Sequence, residues 1–134
     1  MTLHVDPKPC STCPYRKDVP PGIWAEEEYQ KLRGYDDGAQ PLALATFLCH
    51  QSTITDRETV CRGWLSVHCE SVAVRLAEAR GEVPPGAKYD PVPVPLYATG
   101  NEAADAGLRG VKRPSRKARR EIDKLTVRKK RKGR

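Results

Sequence analysis

Large apolar side chains are scarce in this chain. Its 134 residues include one Phe, one Met and two Trp, and hydrophobic residues of all kinds reach only 38%. The core must be small. Burial alone leaves a folded part of about 80–100 residues marginal, and a cross-link or metal would help. No apolar run approaches the roughly 20 residues that span a bilayer, so no membrane partner is expected. The opening "MTLHVDPKPC" lacks the apolar stretch of a secretory signal. The expectation is a cytoplasmic protein whose thiols stay reduced. Five cysteines, an odd number, also argue against complete pairing. A Ser–His–Asp set, a phosphate-cradling glycine loop and an H-E-x-x-H segment are all missing, so an enzyme is not the expected class.

Charge is unevenly distributed. Residues 109–134 hold 14 Lys/Arg against Glu121 and Asp123, a balance of +12, whereas the preceding residues sum to −5. Such a block is either a solvated arm or a polyanion contact. Its cations at Arg113, Arg116, Lys117, Arg119, Arg120, Lys124, Arg128, Lys129, Lys130, Arg131 and Lys132 are the candidate nucleic-acid contacts. The block holds no aromatic residue, so phosphate contact to DNA or RNA is its plausible mode, not base stacking.

The pattern along the chain predicts a small, mostly α, loop-rich domain stabilised by metal, with a Pro-rich strap and a basic C-terminal helix and tail. Residues 1–82 form the cysteine-containing head, 83–100 the strap or linker, and 101–134 the basic helix with a disordered end. A short helix is expected from Ile23, with Tyr29 and Leu32 on its inner face and Gly34 as its stop. Residues 42–50 suit either a helix or an extended entry that delivers Cys49 and His50. A longer helix is expected after Cys61, its stripe formed by Leu65, Cys69, Val72 and Leu76 and its stop by Gly81. Asn101 can cap one or two turns, and Ser115 can cap a helix striped by Ala118, Ile122 and Leu125.

Four cysteines carry the chemistry. Cys10 and Cys13 form C-x2-C, whose turn can aim both sulfurs at one centre. Cys49 and Cys61 flank a connection of eleven residues. If the fold brings them together, four thiolates meet the needs of Zn2+, narrowly preferred, or a [4Fe-4S] cluster. Ordinary buried thiols are the plain alternative, and a redox pair at Cys10 and Cys13 lacks the strand-to-helix setting of such couples. His50 is an alternative ligand or a support for one, and Arg16 and Trp64 are placed beside the centre to offset charge and exclude water. His68 reads as a helix-surface or core-edge residue, Cys69 as core, and His4 as uninvolved.

The segments "CSTCPYRKDVPPGIW", "FLCHQ" and "VCRGWL" resemble a small uncharacterised cysteine-containing family of bacteria and their phages. Its pattern, C-x2-C-P-[FYW]-R…G-x-W, then C-H, then C-x-G-[WF], falls on residues 9–80. The resemblance implies that Cys10, Cys13, Pro14, Tyr15, Arg16, Gly22, Trp24, Cys49, His50, Cys61, Gly63 and Trp64 act as a set, and it implies no activity. Two functions follow from the residues. One is a metal-binding accessory or regulatory protein associating with nucleic acid through its basic arm. The other is a protein-interaction adaptor, a phage or host accessory factor, whose strap docks on a larger protein machine.

Overall fold

A computed structural model describes residues 2–37, 45–52 and 57–132. The expected loop at 35–41 and turn region at 52–59 fall partly outside these residues, as does the start of the segment 42–50. Among the described residues the elements are β1 (His4–Val5), α1 (Glu26–Asp37), β2 (Thr59–Val60), α2 (Arg62–Val67), α3 (Val72–Ala79), a 3-10 turn at Ala87–Tyr89, α4 (Gly100–Leu108) and α5 (Arg116–Lys132).

β1 and β2 pair in parallel, His4 beside Thr59 and Val5 beside Val60. Leu48 joins Val60 from the other side in an antiparallel bridge. The opening segment, which reads as irregular from its prolines, therefore contributes a short strand. His4 is engaged as well, contacting Asp6 and Arg57. Around this small sheet lies a core in which Trp64, Tyr15, Leu32, Leu65, Val60 and Val74 are fully buried.

α1 opens on Glu26, Glu27 and Glu28, whose charges suit the positive end of a helix. Tyr29 and Leu32 face inward as their spacing predicts. The helix does not stop at Gly34 but runs to Asp37. Its last turn has work elsewhere: the Asp36 carboxylate accepts the amides of Gly100 at 2.7 Å and Asn101 at 2.8 Å, capping α4. Thr99, not Asn101, is the N-cap residue there, its hydroxyl accepting from the Glu102 amide at 3.0 Å. α4 lies very close to α1. A Cβ at Gly107 would stand 2.1 Å from the Tyr29 ring, so glycine is what permits the approach.

The single long helix expected after Cys61 is two helices. His68 is buried and hydrogen-bonded to Tyr15 Oη at 3.1 Å, which turns the chain out of α2. Ser71 then caps α3 by accepting from the Val74 amide. The break rotates the stripe: Val72 is 56% exposed, while Ala73, Val74 and Ala77 enter the core. Cys69, expected in the core, is only half-buried. Gly81 does end the helix, at φ +75°, with the Glu82 amide reaching back to Ala77 O and the Gly81 amide to Glu78 O.

The Pro-rich strap lies against the head rather than apart from it. Tyr97 N donates to Tyr15 O and Lys17 N to Pro95 O, both at 2.9 Å. α5 also docks. Ser115 caps it, accepting from Ala118 N at 3.1 Å. Ala118, Ile122 and Leu125 pack on Val19, Ile23 and Trp24 in a second small core. The helix continues through Lys132, where the sequence predicts a disordered arm from Val127. Among the described residues no helix is long and apolar enough to cross a membrane.

Candidate metal centre

The C-x2-C segment is a tight turn. Cys13 N donates to Cys10 O and Arg16 N to Cys13 O, each at 3.1 Å. Trp24 Nε1 donates to Thr12 O at 2.8 Å and pins the turn from outside. The other two cysteines arrive on a pair of extended segments. Cys49 N donates to Thr59 O at 2.6 Å and Cys61 N to Phe47 O at 2.8 Å, around the Leu48–Val60 bridge. Side chains alternate along paired strands, so Cys49 and Cys61 share the face opposite Leu48 and Val60. Cys61 then caps α2, its Sγ accepting the Trp64 amide at 3.4 Å.

These elements bring residues 10–13 against 49 and 61. Cys10, Cys13, Cys49 and Cys61 line one chamber of about 10 Å3, with Asp6, Lys8 and Arg62 in its wall. Cys13 Sγ and Cys61 Sγ stand 3.9 Å apart, deep in the core. Cys10 faces Cys49: pairing with that thiol, above all, lowers the Cys10 thiol to about 7, against its burial and with help from Thr12 and Arg16. The same pairing, followed by burial, pushes Cys49 far up. Burial and then Cys13 do the same to Cys61. The thiols thus meet as two neighbouring pairs. Among the described residues no group of three or more His, Cys, Asp or Glu side chains is arranged to hold a metal ion.

The supporting residues divide. Arg16 grips the turn, donating to Pro9 O at 3.1 Å and Cys10 O at 3.3 Å while making a two-pronged pair with Asp18. Trp64 is fully buried beside the site, its indole N–H without a partner. Gly63 is the close neighbour: a Cβ there would sit 2.8 Å from Cys13 Sγ and from Tyr15 Cβ. His50 does not line the chamber. Its Nε2 meets Glu28 Oε2 at 3.0 Å, and its ring lies on Trp24 with centroids 4.6 Å apart. Burial holds its pKa below the usual histidine value despite Glu28.

Arg62 escapes sequence reasoning. It is 4% exposed, donates Nη2 to Asp90 O at 2.9 Å and leaves Nε without a partner. Burial lowers its pKa. Only its place directly after Cys61 could have drawn notice. The basic set lies where its charge predicts. Arg113, Arg116, Lys117, Arg119, Arg120, Lys124, Arg128, Lys129 and Lys130 are exposed, and the backbone of Arg131 and Lys132 closes α5.

No curated protein and no solved structure matches this chain. A family model does match, over residues 5–128, and so extends past the cysteine head through the strap and most of α5. The chain belongs to a family of unknown function, DUF6283.

Proposed function

We propose that this chain is a zinc-binding accessory protein that associates with nucleic acid through its basic C-terminal helix. The observation that carries the reading is the 3.9 Å separation of Cys13 and Cys61 Sγ in a chamber shared with Cys10 and Cys49. Sulfurs around one tetrahedral ion, each about 2.3 Å from it, lie about 3.8 Å from one another. The reading requires both thiol pairs to close on that ion.

Charge supports it. Four thiolates and Zn2+ sum to a net negative centre, and the wall holds Lys8 and the buried Arg62 against one acid, Asp6, with Arg16 on the adjoining backbone. A buried guanidinium with an unpartnered Nε is costly beside neutral thiols and stabilised beside thiolates. The metal would supply a structural cross-link to a head with a sparse core.

On α5, Arg116, Lys117, Arg119, Arg120, Lys129 and Lys130 make no ion pair among the described residues. They are free to meet phosphates. The strap, by contrast, already uses its backbone on the head, which leaves the adaptor reading less to work with. Metal analysis of oxygen-protected protein tests the first half: one zinc per chain is expected, and a brown, iron-containing protein would overturn it. Binding to duplex and RNA across a salt series tests the second. Neutralising about five phosphates gives a log–log slope of roughly −4. Reversing Arg116, Lys117, Arg119 and Arg120 to Glu should abolish binding; unchanged affinity would reject the helix as the contact.

A further inference from the structure

A cleft of about 660 Å3 opens between α1, the segment 46–52 and α5, with Cys49 in its lining as well as in that of the cysteine chamber. That volume is typical of ligand sites. One wall is a chain of rings in contact: Trp24 to His50 at 4.6 Å, His50 to Phe47 at 5.3 Å, and Phe47 to Tyr35 at 5.2 Å between centroids. α5 adds Ile122, Leu125 and Thr126 to the lining, and Ile122 and Leu125 share the second small core with Trp24. Two exposed cations, Lys31 and Lys129, stand at the lining.

We propose that this cleft takes an unstacked base of single-stranded nucleic acid, with the flanking phosphates on Lys31 and Lys129. The inference rests on the nucleic-acid reading of α5 and sharpens it from any polyanion to a single strand. Three observations converge. In a chain with eight aromatic residues, Trp24, Tyr35 and Phe47 are gathered beside the basic helix, which itself has none. Every base has a π-face, so stacking platforms beside a cationic track are the general means of holding single strands. The ring wall also contains a polar atom with no protein partner: His50 Nδ1 is buried and unbonded, while Nε2 is engaged by Glu28. Lys129 and Lys31, the latter shared with Glu28 at 3.1 Å, match a polyanion.

A paired base presents only its edge and cannot enter. The full-length, metal-loaded protein should therefore bind a thymidine oligomer about tenfold more tightly than a hairpin duplex of equal phosphate count, the effect of one stacked base. The strand, not the hairpin, should quench tryptophan fluorescence, because Trp24 lines the cleft and Trp64 is sealed in the core. A bromodeoxyuridine-substituted strand should photocrosslink to Trp24 or Tyr35, the half-buried rings of the wall. Lys31→Glu, a surface change whose fold a melt can verify, should weaken the strand severalfold and leave the hairpin unaffected. Equal affinities with crosslinks confined to 113–130 would overturn the base cleft while leaving the helix reading in place. Failure of both probes to bind folded protein would remove both.

Discussion

Arg128, near the end of the basic helix, donates to Gln51 Oε1 at 2.8 Å, and Gln51 Nε2 donates in turn to Thr12 Oγ1 at 2.8 Å. Thr12 lies inside the C-x2-C turn, its hydroxyl 3.9 Å from Cys10 Sγ. One buried amide therefore connects the cationic helix to the cysteine chamber. Both proposed functions share a support.

That connection predicts a coupled loss. Gln51→Ala leaves the Thr12 hydroxyl without its donor and releases Arg128, at a cost of about 1–2 kcal/mol. Amide exchange should speed up in α5 around residue 128 and also in the turn at residues 10–13. Faster exchange in the helix alone would show that the link transmits nothing to the cysteines.

Gly63→Ala should damage the metal centre more than the fold. The added Cβ meets Cys13 Sγ and Tyr15 Cβ at 2.8 Å, so the thiol must shift. Overpacking of this kind costs about 1–3 kcal/mol. Gly81→Ala is the control, strained at φ +75° but with nothing within 4 Å of its Cβ. Titration with zinc against a competing chelator should show at least a tenfold weaker site in the Gly63 variant only. Equal affinities would separate Gly63 from the centre.

Acid should destabilise the head through His68. Burial lowers its folded pKa, with Asp36 opposing, so the unfolded chain takes up the proton first. Stability from this group is complete above the unfolded value of about 6.5 and falls as pH drops through it. His68→Gln can keep a hydrogen bond to Tyr15 Oη without titrating. Denaturation curves between pH 7 and 5 should then be flatter for the variant than for the parent, with His50, shifted the same way, supplying part of the remaining slope. Parallel curves would acquit His68.

The gathering of the cysteines could be read in part from residue type. Four thiols, two of them in C-x2-C, are visible in the sequence as one candidate set, and the structure brings them to one chamber. The cap at Ser115 and the stripe Ala118, Ile122, Leu125 were equally legible, because caps and helical periodicity are local. The errors are tertiary. Leu65, Cys69, Val72 and Leu76 keep helical spacing across a break at which His68 turns to Tyr15 and Ser71 caps a new helix. Gly34 failed as a stop because Asp36, beyond it, caps a helix more than sixty residues later. Arg62 carries no local sign of its burial, which comes from contacts distant in sequence such as Asp90 O. The aromatic wall of the cleft is invisible in sequence, since Trp24, Tyr35 and Phe47 sit on different segments.

The most direct test is sulfur-edge and metal-edge absorption spectroscopy on protein purified without oxygen, beside Cys10→Ser and Cys61→Ser. The account predicts one zinc with four sulfur neighbours at about 2.3 Å, and variants that lose both the ion and the cooperative melt of the head. Metal-free protein that melts normally with all its thiols open to alkylation would contradict it.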